Sequence, residues 1–191
     1  MTHIGIDYGS KMAGTTVVCW LGPEGLQWQQ STKKQDADQF ILQLATQLQP
    51  KRVFIDAPLS LPEAYHKQGD DFFYRQCDRQ LKAMSPMFLG GLTARAMKLR
   101  HQLKASDILC HETYPGGLVR QLPSLQEHYL KKQKMNPAFL QSLRILLPSP
   151  MAVLPTNWHQ ADALLAWFSG YRYGQKEAQT IGKASEGLII L

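Results

Sequence analysis

Four carboxylates of the chain stand inside apolar runs, where acids are uncommon. Asp7 follows Ile4-Gly5-Ile6, Asp56 follows Val53-Phe54-Ile55, and Glu112 follows Ile108-Leu109-Cys110-His111. Asp162 lies within Ala161-Asp162-Ala163-Leu164-Leu165-Ala166-Trp167. A carboxylate in such surroundings is costly unless it is paired, hydrogen-bonded or metal-bound. Three of the four directly precede turn sequences: Tyr8-Gly9-Ser10, Ala57-Pro58 and Thr113-Tyr114-Pro115-Gly116. Side chains at adjacent strand ends converge, and α/β sheets build their sites there. Three or four convergent carboxylates with no His or Cys framework suit hard cations such as magnesium or manganese.

The elements that must position these acids follow from the side-chain pattern. Residues 3–8 alternate as a strand, 14–21 are rich in β-branched and aromatic residues, and 26–32 make a more polar third strand after the turn signal Gly22-Pro23-Glu24-Gly25. Phe40, Ile41, Leu44, Ala45 and Leu48 form one apolar stripe and predict a helix over 37–48, with Asp36 as N-cap and Pro50 as stop. Residues 52–57 and 107–112 read as short strands buried on both faces. Residues 63–90 are irregular, 91–104 an amphipathic helix, and 116–147 one or two further helices. Thr156 is placed to cap a last helix over 157–172, and Leu188 to Leu191 form a terminal strand or tail. The predicted fold class is α/β: three antiparallel strands, then parallel strands, with flanking helices and a helical insertion at about 63–105.

Composition narrows the function. The 191 residues suggest one domain and carry 21 Lys plus Arg against 15 Asp plus Glu, a net charge of +6. Residues 73–105 hold seven basic residues and one acid, so this segment carries the whole excess. Arg75, Arg79 and Lys82 are spaced to share a helical face, as are Arg95, Lys98 and Gln102, and such spacing suits a phosphate backbone. Lys11, four residues after Asp7, is a further phosphate candidate. Phe72, Phe73 and Tyr74 open the segment either as packing anchors or as rings that stack bases. Three cysteines without C-x-x-C spacing argue against a disulfide framework or a thiolate zinc site. Cys77 has Arg75, Asp78 and Arg79 for neighbours but no evident histidine partner. The N-terminus does not read as a signal peptide, and no apolar run approaches the roughly 18 residues of a membrane span. The expectation is a cytoplasmic protein with no membrane partner.

These residues carry a resemblance. Ile4-Gly5-Ile6-Asp7-Tyr8-Gly9-Ser10-Lys11, with Gly14 opening the next strand, resembles the first hairpin of the RNase H-like superfamily, whose RuvC-type resolvases share the Asp-x-Gly opening. Asp162-Ala163-Leu164-Leu165-Ala166 resembles the last helix of that group. More specifically, the chain resembles the domain-of-unknown-function family numbered 429, described as predicted RNase H-like nucleases. The matching motifs are Ile55-Asp56-Ala57-Pro58-Leu59, Arg75-x-Cys77-Asp78-Arg79, Glu112-x-Tyr114-Pro115, the Asp162 helix and Glu186-Gly187. The resemblance implies an RNase H-like mixed sheet with Asp7, Asp56 and Asp162 as carboxylate core and Glu112 as a fourth acid. It departs from the resolvases at the last helix, where their Asp-x-x-Asp is replaced by His159-Gln160-Ala161-Asp162. His159 shares a helical face with Asp162 and is either a ligand or proton carrier or a surface residue.

The activity implied is hydrolysis of phosphodiester bonds in DNA or RNA with Mg2+ or Mn2+, two ions about 4 Å apart serving the attacking water and the leaving oxygen. The sequence does not fix substrate size, so a small-molecule phosphodiesterase or other hydrolase is also open, and two further alternatives stand beside it. One is a nucleic-acid-binding protein that keeps the fold without catalysis. The other, on the likeness of Ile6 to Ser10 to a phosphate loop, is an actin or sugar-kinase-like phosphotransferase, against which the length counts.

Overall fold

The computed structural model describes residues 2–66 and 69–191, so Lys67 and Gln68 of the expected insertion lie outside the described residues. Three strands open the chain: β1 (His3–Asp7), β2 (Val17–Gly22) and β3 (Gly25–Gln30). They pair antiparallel in the order β3-β2-β1. Helix α1 (Ala37–Leu48) follows at the bounds its apolar stripe predicts, because both ends are set locally. Asp36 accepts from the N–H groups of Asp38 and Gln39, and Gln49 ends the helix in the left-handed region at φ 47°.

Strand β4 (Arg52–Asp56) pairs parallel to β1, and β5 (Leu109–Thr113) parallel to β4. Between β4 and β5 run a 3-10 turn at Glu63–His66 and the helices α2 (Gln76–Leu81), α3 (Pro86–Leu89) and α4 (Gly91–Lys104). The stretch 63–90 is therefore less irregular than its composition suggests. Four helices follow β5: α5 (Pro115–Val119), α6 (Pro123–Gln126), α7 (Pro137–Leu146) and α8 (Trp158–Gln175). The cap of α8 is Asn157, whose side chain accepts from the Gln160 N–H, rather than Thr156. Two short strands close the chain. The sequence pattern did not reveal β6 (Thr180–Lys183), and β7 (Gly187–Ile190) pairs parallel to β5. The result is a seven-stranded mixed sheet, β3-β2-β1-β4-β5-β7-β6.

Side-chain alternation assigns each face of the sheet a separate core. Ile4, Ile6, Val18, Val53 and Ile55 point to one face and pack with Phe40, Ile41 and Leu44 of α1 and Ala96, Leu99 and Leu103 of α4. Val17 and Cys19 point to the other, where α8 packs with Leu164, Leu165 and Phe168. Gly5 lets α8 approach closely, since a Cβ there would stand 2.1 Å from the Trp167 backbone nitrogen and 2.6 Å from the Ala163 carbonyl oxygen. Among the described residues, no helix is long and apolar enough to cross a membrane.

Candidate metal centre

Asp7 and Asp56 are the last residues of β1 and β4 and are direct register partners, so their side chains leave the sheet together on the α8 face. Helix α8, seated over Gly5, brings Asp162 to the same point. Each of the three offers a carboxylate oxygen, and these oxygens all lie within 4.8 Å of one another.

The cluster is tied down by three side chains. The Tyr129 hydroxyl donates to Asp162 Oδ1 at 2.5 Å, the Lys131 ammonium pairs with Asp162 Oδ2, and His159 Nδ1 meets Asp7 Oδ2 at 2.7 Å. Burial pushes the Asp56 carboxyl well above the usual carboxylate range, and Asp7 and Asp162 push it further. Burial likewise raises Asp162 to about 6, with Lys131 opposing and Asp7 adding to the rise. The hydrogen bond to Asp7 is the main reason that His159 is raised above its ordinary value. Burial works against the charge of Lys131, but Asp162, Asp56 and Asp7 outweigh it and hold its pKa up. Burial and then Asp162 raise the Tyr129 hydroxyl, which stays a proton donor. Three carboxylates thus face one ammonium and one imidazole. This shortfall of positive charge around hard oxygen donors fits a divalent cation.

Glu112 does not join the cluster, contrary to its expected place there. In the β4–β5 register it pairs with Ile55, one residue before Asp56, so it projects from the opposite face. Its partner is Arg75. The guanidinium donates to Glu112 from Nη1 to Oε2 at 2.7 Å and from Nη2 to Oε1 at 2.6 Å, and the Leu59 N–H donates to Oε2 at 2.9 Å. The position on β5 that does face α8 is Thr113, whose hydroxyl donates to the Ser169 hydroxyl at 2.9 Å.

Arg75 is therefore not a phosphate ligand, and this too corrects the expectation. It is 0% exposed. Besides Glu112 it donates to Asp78 from Nε at 3.0 Å and Nη2 at 2.7 Å, and to the Ser60 hydroxyl from Nη1 at 2.9 Å. Burial opposes its charge, but Glu112 and Asp78 prevail and keep it protonated. Glu186 closes the same knot by accepting from the N–H groups of Glu63 and Gln76. Gly187 fits beside it at φ 113° because a Cβ would meet the Ser60 hydroxyl at 2.2 Å. The Arg75, Glu112 and Glu186 motifs thus form one structural assembly, separate from the triad. Burial pushes the Cys77 thiol beside it up to about 12, which makes it a poor nucleophile.

The remaining basic candidates are scattered. Exposed Arg79 pairs with half-buried Asp71 and lies 4.7 Å over the Tyr74 ring. Arg95 donates to Asp38 Oδ1 at 2.7 Å and to the Gly9 carbonyl at 3.2 Å, and lies 4.8 Å over the Tyr8 ring. Lys11 pairs with Asp36 at 3.2 Å. Lys82, in the left-handed region after α2, and Lys98 on α4 are exposed. The structure brings none of the six into the hydrogen bonds or ion pairs that surround the triad. The cation that does reach it is Lys131. The side-chain pattern singles out neither Lys131 nor Tyr129, because both lie in the loop between α6 and α7, inside the stretch 116–147 that reads as helix. The one available signal was the cationic run Lys131-Lys132-Gln133-Lys134 beside a tyrosine.

The chain matches no family model, and no curated protein matches it.

Proposed function

We propose that this protein is a metal-dependent phosphodiester hydrolase acting on nucleic acid, an RNase H-like nuclease in which Asp7, Asp56 and Asp162 hold Mg2+ or Mn2+. The observation that carries the reading is the meeting of three carboxylates from β1, β4 and α8 within 4.8 Å. A divalent ion held there would supply Lewis acidity and a hydroxide-like water at neutral pH. The chain's own residues then have definite tasks. Tyr129 orients Asp162 through its hydroxyl. His159 orients Asp7 through Nδ1 and keeps Nε2 for exchanging a proton with substrate or water. Lys131 adds positive charge at the edge of the cluster, where a phosphate would approach.

Cleavage of labelled single strands, duplexes, hybrids and branched junctions with Mg2+ or Mn2+ tests this reading. Asp7→Asn is expected to remove cleavage and to leave the fold intact. Equal cleavage by wild type and variant would refute the assignment. A second reading, a nucleic-acid-binding protein without catalysis, draws on the fact that Lys131 and His159 already engage two of the three carboxylates. Metal-independent, salt-sensitive binding without cleavage would favour it.

A further inference from the structure

Asp7 and Asp56 also line a cavity of about 220 Å3 whose walls include Ala57, Pro58, Ala83, Met84, Leu89 and Leu92. The two other acids bordering it, Asp78 and Glu112, are both paired with Arg75. Among the described residues, no lysine or arginine lines it. Lys131 borders a different hollow, with Tyr114, Arg120 and Tyr129. The site is therefore asymmetric, with positive charge on one side and, beyond the carboxylates, a mainly apolar recess without a cation on the other. A phosphate suits the first and not the second. The recess is below the roughly 300–1,000 Å3 of a pocket for a drug-sized ligand, so its natural occupant is a single flat ring system.

The rim beside this recess is equally unusual. Phe88, next to Leu89 on α3, is 65% exposed, Met84 61% and Phe73 54%. The Phe73 and Phe88 rings lie 5.9 Å apart. Large apolar side chains gathered at the surface mark a contact site. Rings beside a phosphodiester centre suit bases, because every base has a face to stack.

We propose that the recess receives one unpaired base of the substrate strand, with Phe73 and Phe88 stacking the base next to it, so that the substrate is single-stranded or has its nucleotide turned out. This rests on the reading of the triad as a nuclease centre. The duplex is excluded as it stands because a paired base is stacked on both faces and must leave the stack to enter the recess.

Anisotropy with short labelled single strands of DNA and RNA, abasic strands of equal length and blunt duplexes, all with Ca2+ present, tests the proposal. The base-bearing strand is expected to bind about tenfold more tightly than the abasic one and than the duplex. Ala83→Trp, which fills the recess, is expected to reduce it toward the abasic level, with thermal unfolding as the check on folding. Met84→Glu, at a largely exposed position, is expected to weaken it in the same direction. Equal binding of base-bearing and abasic strands, preference for the duplex, or no binding of any strand would overturn the proposal. So would affinity unchanged in both variants, which would leave the rim as a surface for a protein partner. A Mn2+ titration of the wild type separates the two failures. Mn2+ binding and cleavage without base preference overturn this proposal alone, whereas base preference without Mn2+ binding overturns the metal reading alone.

Discussion

The Lys131 ammonium lies on Asp162 Oδ2 while the Tyr129 hydroxyl occupies Oδ1, so both oxygens of one triad carboxylate are engaged from a single loop. A divalent ion at the triad must share or take over the position of that ammonium. Lys131→Met is therefore expected to bind Mn2+ more tightly than the wild type, by a few-fold to about tenfold, since the half-exposed ammonium is partly screened by water. It is also expected to melt lower in EDTA and to gain more on adding Mn2+. Calorimetry and thermal unfolding check both. Weaker Mn2+ binding by the variant would show that Lys131 supports the ion instead of competing with it.

Arg75 makes a prediction about stability rather than binding. Replacing it with Met leaves Glu112 and Asp78 buried without a counter-charge, a loss on the order of 3–5 kcal/mol. Arg75→Lys is expected to recover little, because one ammonium cannot reproduce the forked contacts to two carboxylates and Ser60. Urea unfolding midpoints decide this. A near-neutral Arg75→Met would contradict the structural role.

The pH dependence follows from Asp162. Burial pushes its carboxyl up to about 6 in the folded chain, against 3.8 for a free aspartate. A raised carboxyl favours the fold while protonated, so without metal its contribution is full below the free value and is lost as pH rises through about 6. Asp56, also raised, acts in the same direction. Thermal unfolding in EDTA is expected to show the wild type losing on the order of 2–3 kcal/mol relative to Asp162→Asn between about pH 4 and pH 6. Divalent metal, which binds the ionised form, is expected to offset the loss. Parallel profiles for the two proteins would contradict the raised carboxyl.

Much of this architecture is legible in the sequence, and the exceptions have physical causes. The α1 and α4 bounds agree with their apolar stripes because caps and periodicity act within a few residues. Asp7, Asp56 and Asp162 stand out because an acid in an apolar run is costly. Glu112 stands out in the same way, but its face depends on strand register. A one-residue offset between β4 and β5 reverses it, and neither strand's own sequence records that offset. Arg75 and Arg79 are four apart, yet Arg75 is the N-cap of α2 with extended φ and ψ of −80° and 161°, so helical spacing does not begin there. Arg75 turns inward and Arg79 outward. Tyr129 and Lys131 reach the triad from a loop, whose path no periodicity describes.

The account stands most directly on metal binding at the triad. Mn2+ titrated by calorimetry into wild type, Asp7→Asn and Asp56→Asn is the deciding measurement. Binding by the wild type that weakens at least about tenfold in each variant is the predicted result, since each removes one charged ligand and keeps its shape. No Mn2+ binding by the wild type, or equal binding by all three proteins, would contradict it.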